Sequence, residues 1–98
     1  MLQQLDVIKL NEAVNLAQKL PGYFQCNDVR QAVLVSMCYQ LGGLELWPHL
    51  RLALARGDYA ATADAMLTSK WAVETPARAQ REITMMKTGE WVPHVQRI

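Results

Sequence analysis

The 98-residue sequence has only two cysteines and one phenylalanine, and Lys plus Arg outnumber Asp plus Glu by ten to nine. It holds no run of about 18 consecutive apolar residues, which excludes a membrane-spanning helix. The near balance of charge excludes a nucleic-acid binder of the strongly basic kind. With 51% hydrophobic content and a net charge near zero, disorder is excluded too. The start, Met1-Leu2-Gln3-Gln4-Leu5-Asp6, offers neither a basic segment nor an apolar one, so no secretory signal is expected. Cys26 and Cys38 do not amount to a disulfide scaffold, and reduced thiols in a cytoplasm are the simpler reading. No stretch shows the period-two alternation of a half-buried strand, and there is no repeat, linker or low-complexity segment.

Helix formers dominate what is present: 13 leucines and 12 alanines. One domain spanning 1–98 is expected, with a radius of gyration of about 13 Å. Asn11 reads as the cap of a helix carrying Ala13, Val14, Leu16, Ala17 and Leu20, stopped by Pro21-Gly22. Asn27 caps the next helix, with Asp28 in its first turn, where a negative charge suits the helix dipole. From Ala32 to Tyr39 only Ser36 is polar. A helix that is apolar all round is buried all round, so this one should be central, with Cys38 as a small core residue. Gly42-Gly43 ends it.

The turn Leu44 to Trp47 leads to Pro48, which suits a first helical turn, and a helix with Leu50, Leu52, Ala53 and Leu54 follows. Asp58 caps another, carrying Tyr59, Ala63, Met66 and Leu67. Thr75-Pro76 starts a helix through Ala79, Ile83 and Met86 that stops near Gly89. The tail, Trp91-Val92-Pro93-His94-Val95, is expected to dock back on the body. The predicted fold is all-α, a compact bundle of five or six helices.

Catalytic and cofactor motifs are few. His49 and His94 are far apart, with no Cys, Asp or Glu at metal-ligand spacing, and Pro48 interrupts any helical Glu45–His49 pair. Neither Ser36 nor Ser69 sits on a glycine-flanked turn fit for a nucleophile. No Gly-x-x-x-x-Gly-Lys loop exists. No metal and no cofactor is expected. The basic residues Arg51, Arg56, Lys70, Arg78, Arg81 and Lys87 read as a solvated face or a patch.

Three segments are more specific: Met37-Cys38-Tyr39-Gln40-Leu41-Gly42-Gly43; Ser69-Lys70-Trp71, after an Ala-rich helix beginning Gly57-Asp58-Tyr59; and Thr75-Pro76-Ala77-Arg78-Ala79-Gln80-Arg81, followed by Lys87-Thr88-Gly89-Glu90-Trp91. In order and spacing they resemble the C-terminal lobe of phage-type lysozymes, the T-even muramidases of glycoside hydrolase family 24. The resemblance covers residues 25–92 and is weaker over 10–24; within the single domain, residues 1–24 are read as an N-terminal helical segment. It implies that Arg78, at the third position of its helix, reaches across a cleft toward a catalytic glutamate of another lobe, and that Gln40 lines the cleft floor. The expected ligand- or partner-binding residues are Gln40, Arg78, Thr75 and Trp47. The expected structural residues are Trp71, Pro76, Tyr39 and Trp91. Purely structural roles compete: Thr75 and Pro76 as caps, Gln40 as a helix-end residue, Arg78 paired with Glu74 or Asp64.

The departure from the family lies in what would come first. Glycoside hydrolysis needs an acid and a second carboxylate flanking the scissile bond. The family carries a Glu on its first helix, followed by an Asp and then a Thr on a small β-hairpin lobe. Here Glu12 is the only early glutamate, no aspartate lies between it and Asp28, and the first threonine is Thr62. No catalytic residue is therefore expected and no muramidase activity from the chain alone. Three roles follow for a supporting lobe of phage or prophage origin acting in the host cytoplasm. It binds peptidoglycan or a partner protein through the surface the missing lobe uncovers; it inhibits a host or defence protein; or it is one half of a split muramidase. Nucleic acid and membrane are not expected partners, and self-association is compatible with the pattern.

Overall fold

The computed structural model describes residues 4–42 and 47–92, with side chains from residue 7 onward. The described chain is all-helical: α1 (Gln4–Gln18), a 3-10 turn (Tyr23–Gln25), α2 (Asp28–Leu41), α3 (Pro48–Ala55), α4 (Tyr59–Leu67), α5 (Lys70–Glu74) and α6 (Pro76–Thr88). The Cα radius of gyration is 13.1 Å, close to the expectation for this length. The turn residues Leu44 to Leu46 and the tail residues Pro93 to Val95 lie outside the described residues, as does His94.

Most helix ends follow local chemistry. The Asn27 side chain accepts a hydrogen bond from the Arg30 N–H, and Asp58 accepts from Ala61 N–H, each satisfying a donor that the first turn leaves open. Pro48 and Pro76 occupy first helical positions. The first helix differs from expectation. It begins at Gln4, and Asn11 is an exposed residue within it rather than its cap, because a solvent-facing asparagine costs only a fraction of a kcal/mol there. Helix α5 was not foreseen. Five residues are too few to show periodicity, and its start is fixed by Ser69, whose hydroxyl accepts from Ala72 N–H at 3.2 Å.

Gly22 governs the connection between α1 and α2. It stands at φ 88°, and a Cβ there would lie 2.5 Å from the Leu54 carbonyl oxygen. The turn can lie against the end of α3 only because this position has no side chain.

The packing order runs α1, α2, α6, α4, α3: α2 lies against α1 and α6, and α6 carries the contact on to α4 and α5. No residue of α2 from Val29 to Gln40 is exposed. Leu34 and Met37 are fully buried, each worth about 1.5–3 kcal/mol of transfer free energy. Cys38 is a core residue as expected, and Cys26 is buried as well; neither forms a disulfide. The enclosure of α2 is incomplete on one side, where Ala32, Val35 and Tyr39 border a groove beside α1. The last helix shares the centre of the molecule despite its polar sequence, burying Ala79, Glu82, Met85 and Met86 and packing Ile83 against the core.

One polar clamp closes the bundle. Arg30 on α2 donates from Nε to the Met86 carbonyl at 2.7 Å and from Nη2 to the Lys87 carbonyl at 3.1 Å. Asn27 Nδ2 adds a bond to the Gly89 carbonyl at 2.9 Å. These carbonyls have no partner within α6, and a cation at a helix C-terminus also suits its dipole. The same guanidinium lies 3.9 Å from the centre of the Tyr59 ring on α4.

Candidate functional site

A ladder of polar side chains crosses the interior between α2, α5 and α6. Trp71 donates its indole Nε1–H to Gln40 Oε1 at 2.7 Å. Gln40 Nε2 donates to the Ser36 carbonyl at 3.1 Å and to Ser36 Oγ at 2.9 Å. Ser36 Oγ donates in turn to Glu82 Oε2 at 2.7 Å. Glu82 is 5% exposed, and its other oxygen, Oε1, is buried with no hydrogen-bond partner. Burial pushes the Glu82 carboxyl above its usual range; the hydrogen bond from Ser36 and the charges of Arg78 and Arg81 oppose that without cancelling it.

The two ends of this ladder were read differently in the sequence. Gln40 and Trp71 belong to two separate motif segments, and the fold joins them directly. Ser36 and Glu82 were missed as a pair. The available signal was a single polar residue on the apolar stretch of α2 and a glutamate at core spacing between Ala79 and Met86 on α6.

Beside Trp71 an open groove of about 740 Å³ runs between α3, α4 and α5. Trp47, half-buried at the cap position of α3, and Trp71 line it together with Arg56, Asp64, Lys70 and Glu74. His49 also borders it. Lys70 and Glu74 form an exposed ion pair at 3.7 Å, a contact of small energy.

Of the expected binding residues, the structure brings Trp47 to this groove and attaches Gln40 to its Trp71 wall. It does not bring Arg78 or Thr75 there. Arg78 is exposed at the third position of α6, and among the described residues it forms no ion pair with Glu74 or Asp64; its charge bears on Glu82 one turn away. Thr75 precedes α6 but its hydroxyl does not cap that helix: Oγ1 donates back to the Trp71 carbonyl at 2.9 Å. It therefore closes α5 while Pro76 opens α6.

Trp71 and Pro76 keep their structural roles, Trp71 at 5% exposure. Tyr39 packs against the core and borders the second groove rather than the first. Trp91 does not take the expected structural role: it is 63% exposed, because α6 ends at Thr88 with Gly89 as its cap and the next residue seated on the core is Val92.

Among the described residues no group of three or more His, Cys, Asp or Glu is placed to hold a metal ion, and no helix is long and apolar enough to cross a membrane. No family model matches the chain, and no curated protein matches it significantly.

Proposed function

We propose that this chain is a non-catalytic, lysozyme-like module of phage or prophage origin, working in the host cytoplasm until lysis, that binds cell-wall peptidoglycan in the groove between α3, α4 and α5. The observation that carries the reading is the composition of that groove: the Trp47 side chain beside cations (Arg56, Lys70) and anions (Asp64, Glu74). A muropeptide has the matching chemistry, a sugar ring with an apolar face and a short peptide bearing both charge signs. Aromatic rings bind such faces while neighbouring polar groups fix orientation. The Gln40–Trp71 bond supports the reading by holding the inner wall of the groove in one orientation.

Binding is favoured over hydrolysis by the position of Glu82. A glycosidase acid needs a raised pKa and contact with the scissile oxygen. Glu82 has the first property, but it is sealed beneath Ser36 and borders neither groove.

The test is co-sedimentation with purified sacculi. Wild type is expected in the pellet, and Trp47→Ala is expected to weaken binding at least about tenfold, as for loss of an aromatic anchor. Failure of the wild type to sediment overturns the reading. Loss of turbidity from a cell-wall suspension treated with the pure protein overturns its non-catalytic part.

A further inference from the structure

The groove between α1 and α2 is unlike the one beside Trp47. It measures about 590 Å³ and its lining is mostly apolar, from Leu10, Tyr23, Ala32, Val35 and Tyr39, with Gln31 and Ser36 among the polar residues that border it. Apolar surface continues onto both banks. Val7, one turn from Leu10 on the same side of α1, and Leu10 itself are each more than 40% exposed, and Phe24 is 70% exposed with its ring 5.0 Å from that of Tyr23. Exposed apolar side chains flanking an apolar groove on a small domain point to an interface.

Its two ends carry opposite charges. Asp28 borders the groove at the start of α2. At the other end Lys9 Nζ lies 4.9 Å from the centre of the Tyr39 ring, which also borders the groove. Asp28 and Tyr39 are separated by three helical turns, about 16 Å along α2. A two-fold axis through the middle of the groove would lay each end against the opposite end of a second copy. Lys9 of each copy would then face Asp28 of the other, while the apolar strips close on one another. Such an isologous contact uses one patch twice, and a net charge of +1 sets no long-range barrier to it.

We infer that the α1–α2 groove is a self-association surface, on which two copies of this chain pair about a two-fold axis with Lys9 of each opposite Asp28 of the other.

Sedimentation velocity or light scattering from about 5 to 500 µM tests it, a range suited to a small interface. The wild-type mass is expected to rise with concentration from 11.1 kDa toward twice that value. Lys9→Asp alone and Asp28→Lys alone each set like charges together at both contacts and are expected to raise the dissociation constant at least about tenfold. Mixing these two variants in equal amounts restores both opposite-charge contacts, and dimer is expected to return. Circular dichroism of each variant shows whether the fold is kept, and Leu10→Glu gives a second, charge-independent disruption. A wild type that stays monomeric throughout the range overturns the inference, as does a mixture no more associated than its components.

Discussion

Trp71 and Gln40 are joined by a 2.7 Å hydrogen bond across 31 residues of sequence. The indole is almost fully buried, at 5% exposure, so Gln40 is the acceptor that makes its burial affordable in hydrogen-bonding terms. Gln40→Ala removes that acceptor and also frees Ser36 from its second bond. The expected loss is about 1–3 kcal/mol, read by urea denaturation. A change within experimental error of wild type would show that the ladder is not continuous.

Glu82 gives a pH signature. Its folded-state pKa is raised by burial, so the folded protein holds this proton more tightly than the unfolded chain does. The contribution is fully present below the ordinary carboxyl value and is lost as pH rises through the raised one. Glu82→Gln keeps the shape of the protonated acid and cannot ionise. Its stability relative to wild type is therefore expected to improve as pH rises from about 4 toward 8. Parallel curves for the two proteins would mean that Glu82 ionises in the fold as freely as in water.

Arg30 makes charge-assisted bonds to two carbonyls at the end of α6. Arg30→Ala is expected to cost about 2–4 kcal/mol, since such bonds contribute more than neutral ones. Arg30→Lys should recover only part, because a point charge cannot serve both carbonyls and the Tyr59 face together. Thermal melts of the three proteins rank them.

Gly22→Ala places a methyl against the Leu54 carbonyl at a backbone angle that L-residues avoid. A loss of about 2–4 kcal/mol is expected from the left-handed conformation plus the forced shift. Gly42→Ala is the control: it shares a positive φ but meets nothing within 4 Å, so only the conformational part, about 1 kcal/mol, should appear. Equal losses at both positions would remove the steric argument.

How far the sequence revealed these features depends on how local their causes are. The caps Asn27 and Asp58, the stops at Gly42 and Gly89 and the starts at Pro48 and Pro76 are legible because each is decided within one turn. The beginning of α1 was not, since Asn11 can cap a helix or sit harmlessly on its wet face. Helix α5 is too short for a period to register. Glu82 stands at core spacing between Ala79 and Met86, but a charged residue on a largely polar helix is not singled out by spacing alone; its packing between α2 and α4 shows that this carboxyl is buried. The attachment of Gln40 to Trp71 depends on tertiary contact, although both residues stood out. The apolar groove beside α2 had no sequence signal of its own, because a fully apolar helix reads as enclosed whether or not one flank is open.

The contact of Arg30 with α6 also bears on the order of assembly. Its acceptors lie 56 and 57 residues further along, so the loop they close includes α3, α4 and α5. Closing a long loop carries an entropic cost that rises only slowly with its length, but no part of the return comes until the final helix is in place. Fragments ending before Met86 leave a guanidinium without its carbonyls and the α2 core without its lid. The protein is thus expected to fold in a single concerted transition, with the earlier helices held only loosely until the last one arrives.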